Sequence, residues 1–201
     1  MFDRHLRPII DPVSNSIGSS IARSGITANM VTISGFGVGI LAFIALTQSY
    51  FQLAFLFIVI NRICDGLDGA VARHQGMTDI GGYLDIVFDF IFYALIPLGF
   101  AIAMPEYAVS AAILIVSFVG TGSSFLTYAI FAEKRKISTD IRGKKSLYYL
   151  GGLTEGTETI AVLLAMCLWP QFFPIFAYSF ACLCGITTIT RIIWAYMTFK
   201  D

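Results

Sequence analysis

The sequence predicts an all-α integral membrane protein: six transmembrane helices preceded by an amphipathic interfacial helix. Three observations predict it. Hydrophobic residues make up 57% of the 201 residues and charged residues only 13%, whereas soluble domains carry about a quarter charged. Mean hydropathy is +0.78. Apolar runs of bilayer length, roughly 20 residues each, recur along the chain, and basic residues cluster in alternate turns between them.

Residues 1–22 come first and are expected to lie on the membrane, not in it. Phe2, Leu6, Ile9, Ile10, Val13, Ile17 and Ile21 recur at helical spacing, with Arg4, Arg7, Asp11 and Asn15 on the other face. That pattern describes a surface helix, with a break expected near Pro8 or Pro12. The stretch lacks the continuous apolar core of a cleavable signal peptide. Spans are then expected over 27–48, 51–73, 79–104, 107–131, 147–169 and 172–198, so that residues 23–201 form one six-helix domain. Gly35, Gly37 and Gly39 suit close helix packing in the first span. Tyr107, Tyr148, Tyr149, Trp169, Trp194 and Tyr196 lie near span ends, as interfacial anchors do.

Charge sets the orientation. Arg4, Arg7 and Arg23 precede the first span and Arg73 closes the second. Lys134, Arg135, Lys136, Arg142, Lys144 and Lys145 lie between the fourth and fifth. The turns near 48–50, 104–106 and 170–174 hold no Lys or Arg. Positive residues favour the cytoplasmic side, so both termini and the charged turns are expected there. No basic tail points to nucleic acid. The four cysteines show no metal-ligand spacing and read as reduced, buried side chains. His5 and His74 have no partner at ligand spacing and read as solvated or interfacial.

Residues 65–89 break the apolar pattern. Charged side chains inside a bilayer are costly and mark functional sites by default. The second span is apolar in its first half and polar in its second, and the third reverses this. With a short turn at 76–78 the two become antiparallel neighbours. Counting from Met77, Asp68 lies nine residues back and Asp85 eight forward, while Asp65 and Asp89 are each twelve away. At about 1.5 Å rise per residue each pair falls at nearly one depth. Asp65 and Asp68 share a helix face at i, i+3, as do Asp85 and Asp89 at i, i+4. Asp79 sits at the turn and reads as solvated or as a helix cap.

Four anions converging in a low-dielectric pocket call for protonation or for a cation. Hard divalent ions such as Mg²⁺ take carboxylate, phosphate and water oxygens. Gly66, Gly69, Ala70 and Ala72 thin one helix, Gly81 and Gly82 the other, and Arg73 at the mouth suits phosphate oxygens. Two other readings stay open on spacing alone. In one, small residues merely let helices pack and the aspartates are solvated. In the other, a cation-coupled transporter holds its ion here, which accounts for the carboxylates but leaves Arg73 and the basic loop unused.

The pattern Asp65-x-x-Asp68-Gly69-x-x-Ala72-Arg73, seven residues, Gly81-x-x-x-Asp85-x-x-x-Asp89 resembles the signature of the CDP-alcohol phosphatidyltransferases. It fixes eight positions over 25 residues. Ile26 to Thr32 is similar to that family's Thr-Pro-Asn-x-x-Thr opening, with Ala28 in place of proline. The resemblance implies transfer of a phosphatidyl group from CDP-diacylglycerol to an alcohol acceptor, releasing CMP, at a site facing the cytoplasm. It implies Asp65, Asp68, Asp85 and Asp89 as ligands of two Mg²⁺ or Mn²⁺ ions, with Asp89 also the general base. Asn29, Thr32, Gly69, Ala72 and Arg73 would then border the CDP-lipid, and a homodimer is the expected assembly. The same signature also serves enzymes that move a CDP-linked amino alcohol onto diacylglycerol.

The acceptor end is less defined. Glu155 and Glu158 in the fifth span and Arg191 in the sixth fall at similar depth about the 170–174 turn, so a Glu155–Arg191 pair is expected, structural or acceptor-shaping. The basic loop from Lys134 reads either as orientation and lipid contact or as a source of acceptor ligands. In the inositol-phosphate branch of the family the corresponding stretch resembles Gly-Leu-x-Glu-Arg-Pro-Glu-Arg. Here Gly156 and Thr159 stand where its arginines would be. That departure favours a polyol or an amino alcohol, although Arg191 and the Lys134 run still offer positive charge.

Overall fold

The structure is a computed structural model that describes residues 3–137 and 154–200. Every regular element among the described residues is helical: α1 (Asp3–Arg23), α2 (Ala28–Thr47), α3 (Phe51–Gln75), α4 (Asp79–Ala103), α5 (Ala108–Lys134), α6 (Gly156–Leu168) and α7 (Phe173–Phe199). Among the described residues, four stretches are long and apolar enough to cross a bilayer: Ala28–Thr47, Asp79–Ala103, Pro105–Lys134 and Pro170–Phe199. α3 has the length, at 25 residues, but Arg62, Asp65, Asp68 and Arg73 make its second half too polar for that class. α6 is described over 13 residues only. The expected start of the fifth span at 147–153 lies outside the described residues, as do Asp140, Arg142, Lys144, Lys145, Tyr148 and Tyr149.

Local chemistry sets the helix ends. The Thr27 hydroxyl caps α2, accepting from Met30 N at 3.3 Å. Thr78, not Asp79, caps α4, with its Oγ1 accepting from Gly81 N at 3.1 Å. Asp79 is instead the first helical residue, where a carboxylate favours the positive end of the helix dipole. Between α3 and α4 the chain reverses through Gly76 at φ 100°, a conformation that excludes most side chains. The break expected in α1 is absent. The helix continues past Pro8 and Pro12, whose missing N–H groups cost bonds on one face only, four residues apart.

Aromatic and aliphatic side chains from α2, α3, α4, α5, α6 and α7 fill the core, among them Leu46, Ile58, Phe92, Phe100, Leu114, Leu163 and Phe173. Tyr107, expected at an interface, stacks on Phe173 with ring centroids 6.1 Å apart and packs against this core. Trp194 and Tyr196 remain exposed. So do Ile33, Ile44, Leu56, Val116 and Ile189, a distribution that water would penalise and lipid would accept. α2 lies tightly on α3: a Cβ at Gly35 would sit 2.8 Å from Cys64 Cβ. α1 docks on α3 just as closely, Gly18 over Ala70.

Candidate active site at the α3–α4 hairpin

The hairpin brings its polar halves together at one end of the bundle. Asp65, Asp85 and Asp89 each place a carboxylate oxygen within 4.8 Å of the other two. Two of the three come from α4 at i, i+4, and the third reaches across from α3 at matching depth. Asp68 lines the same pocket as Asp65 and Asp85, together with Thr32, Phe36 and Phe88. Its Oδ2 accepts a 2.6 Å hydrogen bond from the Thr32 hydroxyl on α2. Three helices thus build the acidic pocket.

Arg62 is the residue the motif reading passed over. Its Nη1 lies 2.8 Å from Asp89 Oδ1 and 3.7 Å from Asp65 Oδ2. The guanidinium sits over the Phe92 ring at 4.5 Å and near Tyr93 at 5.6 Å. Its Nε donates to Asn61 Oδ1 at 2.7 Å, and Asn61 Nδ2 donates to Gly35 O at 2.8 Å. A signal existed: an arginine three residues before Asp65, inside an apolar stretch, obeys the same rule that singled out the aspartates.

The donor set suits a hard divalent cation. Three mutually close carboxylates offer only oxygen, and their combined charge exceeds what the one guanidinium lying against two of them can balance.

The residues expected around the nucleotide gather at the same end. Asn29 and Thr32 lie on the first turns of α2, and Asn29 Oδ1 would stand 3.0 Å from a Cβ at Gly81 of α4. Gln75 ties the end of α3 to this region, donating to Ile26 O at 2.8 Å and accepting from Ala28 N at 3.2 Å. Gly69 and Ala72 are half-buried on α3. Arg73 is exposed, with Nε and Nη2 donating to Asn15 Oδ1 of α1 at 3.1 and 2.8 Å.

A second cavity, about 270 Å³, opens on the other side of Asp89. Its polar lining includes Asp89, Thr121, Thr154, Glu155, Thr159 and Arg191, and Phe90, Phe118 and Phe125 form its apolar walls. Arg191 is buried, with Nη1 donating to Thr121 O at 2.9 Å. At Gly122 any side chain would strike Phe90. Glu155 and Arg191 both line this compartment. Glu158 is half-buried beside it, and Lys134 is exposed at the end of α5; neither lines the cavity.

The sequence profile of the CDP-alcohol phosphatidyltransferases matches residues 25–197. The chain belongs to this family. It is 47% identical over 202 residues to the inner membrane protein YnjF of Escherichia coli, covering 100% of this chain and 98% of that one. It is 29% identical to the archaetidylinositol phosphate synthase of Pyrococcus horikoshii, over 93% of each. The crystal structure of the phosphatidylinositol phosphate synthase of Mycobacterium tuberculosis, solved with CDP-DAG bound, has the same fold. That match has a TM-score of 0.73 at 21% identity and covers 92% of this chain and 94% of that one. The same synthase was also crystallised with manganese and citrate.

Proposed function

We propose that this chain moves a phosphatidyl group from CDP-diacylglycerol to a small polar alcohol, releasing CMP, at the cytoplasmic face of a membrane it crosses six times. In this reading α3 is the second span, α6 ends the fifth, and α1 lies along the surface. The observation that carries the proposal is the placement of Asp89. It belongs to the three-carboxylate cluster and also faces the cavity lined by α4, α5, α6 and α7.

Asp65, Asp85 and Asp89 would hold Mg²⁺ or Mn²⁺, with Asp68 beside them for a second ion. An ion bound there neutralises a diphosphate and polarises the phosphorus under attack. The chain's own groups do the rest. Asp89 accepts the proton of an acceptor hydroxyl brought into the cavity. The acceptor oxygen then bonds to the phosphatidyl phosphorus as the bond from that phosphorus to the bridging oxygen breaks and CMP departs. Arg73 offers a planar cation to the diphosphate, and the small side chains at Gly69 and Ala72 leave space for the nucleotide. Lipid tails remain between helices. Much of the rate comes from holding two substrates in register.

For the acceptor, Arg191, Glu155 and the threonine hydroxyls present both charges and several hydrogen-bonding groups. Gly156 and Thr159 stand in place of arginines, which favours a polyol or an amino alcohol over a phosphorylated sugar.

Purified protein incubated with Mg²⁺ and each labelled donor tests the proposal. CMP and a new phospholipid from CDP-diacylglycerol, with none from a CDP-amino alcohol plus diacylglycerol, are the expected results. The opposite donor preference would establish the reverse transfer. No CMP from either donor, with solute counterflow in proteoliposomes, would replace the enzyme with a transporter. Mass spectrometry of lipids from overexpressing cells identifies the acceptor.

A further inference from the structure

Arg62 lies in the wall between the acidic pocket and the second cavity. It lines the first, and its ion-pair partner Asp89 lines the second. The side chain of Arg62 is 15% exposed, against 35% for Asp65 and 28% for Asp89. Of the three charged groups it is the most enclosed. The guanidinium is held from several sides: Nε on Asn61, Nη1 against Asp89, Asp65 and, at 3.4 Å, Tyr93 Oη, with the Phe92 ring across its face. Asn61 is itself fixed to the α2 backbone through Gly35 O. A rigid path therefore runs from α2 through Asn61 and Arg62 to one oxygen of Asp89.

We propose that Arg62 is a positioning residue: a resident countercation that fixes the Asp89 carboxylate and that any divalent ion reaching Asp89 must work against. This rests on the reading of Asp89 as the proton acceptor. Nη1 of Arg62 takes Oδ1 and leaves Oδ2 of Asp89 for the acceptor hydroxyl, while Nε stays on Asn61. A lysine reaching the same place supplies the charge through one nitrogen and cannot hold Asn61 and Asp89 together. A cation that stays put also lowers the density of negative charge at the site before any metal arrives. Its repulsion then weakens metal binding, even as its hydrogen bond aims the base.

Mn²⁺ titrations followed by electron paramagnetic resonance, without substrate, read the electrostatic half on the full-length protein in detergent. For Arg62→Met the Mn²⁺ dissociation constant is expected to fall about tenfold, because a like charge within a few ångströms has been removed. For Arg62→Lys it stays within about twofold of wild type, the charge being kept. Steady-state kinetics read the geometric half. Both variants are expected to lose about a hundredfold in kcat with KM for CDP-diacylglycerol little changed, since the carboxylate is no longer aimed. Mn²⁺ binding no tighter in Arg62→Met than in wild type overturns the countercation role. Wild-type kcat in Arg62→Lys overturns the positioning role, and this variant decides the matter if Arg62→Met does not fold. Should wild-type protein release no CMP, the transferase reading fails while the Mn²⁺ comparison still reports on Arg62.

Discussion

In the proposed reaction Asp89 carries the largest share of the chemistry, and replacing it tests the most. In Asp89→Asn the side chain keeps its shape and can still accept from Arg62 Nη1, 2.8 Å away in the native protein, but it cannot take a proton. Turnover is expected to fall by about a thousandfold or more, within the span of lost general-base catalysis, while binding of a fluorescent cytidine nucleotide persists. Near-native turnover would remove the assignment. Dialysis against EDTA is expected to end CMP release, with Mg²⁺ or Mn²⁺ restoring it, because Asp65, Asp85 and Asp89 form an oxygen-only cluster. Metal-independent transfer would refute that role. The aspartates were legible in the sequence because helix rise alone fixes their depth. Arg62 was passed over because the motif begins at Asp65. Its clamp on Asp89 spans 27 residues of sequence, and the Arg73–Asn15 bonds span 58; no local pattern reports contacts of that range.

At the scale of helices, the bundle depends on a few positions where two backbones nearly touch. Gly35→Ala sets a methyl group 2.8 Å from Cys64 Cβ, whereas at Gly37 nothing lies within 4 Å. The first substitution is expected to cost about 1–3 kcal/mol through overpacking. Gly37→Ala is expected to be neutral or slightly favourable, since alanine is the better helix former by about 1 kcal/mol. Thermal denaturation in detergent compares them, and equal losses would refute the packing account. Asn15→Ala removes both hydrogen bonds from Arg73. Faster amide exchange across residues 12–23, with Mn²⁺ binding unchanged, is the expected outcome; unchanged exchange would show that Gly18–Ala70 packing alone holds α1. Helix ends came close to expectation because threonine caps and turn residues mark them. The unbroken α1 was not legible, since proline removes a hydrogen bond but does not dictate where a helix stops. The three glycines of α2 looked alike in sequence and differ only in what faces them.

For the molecule as a whole, the described end-to-end arrangement puts the 76–78 turn at one end of the α3–α4 hairpin and the 104–107 turn at the other. If the acidic pocket faces the cytoplasm, Glu106→Cys in a cysteine-free background reacts with a membrane-impermeant maleimide in intact cells, and Met77→Cys reacts only after permeabilisation. The reverse pattern would invert the proposed orientation. Fold class was readable because an apolar exterior leaves a compositional trace across the whole chain. The number of spans was less directly readable from hydropathy, and the reason is chemical. α3 supplies Arg62, Asp65 and Asp68 to the acidic pocket, and these charges are what spoil its apolar signal.

One consequence of the shared wall concerns kinetic order. With the acidic pocket on one side of Asp89 and the second cavity on the other, donor and acceptor need not take turns in a single chamber. Initial rates measured against both substrates should therefore give intersecting double-reciprocal lines, the signature of a ternary complex, in place of the parallel lines of a ping-pong exchange.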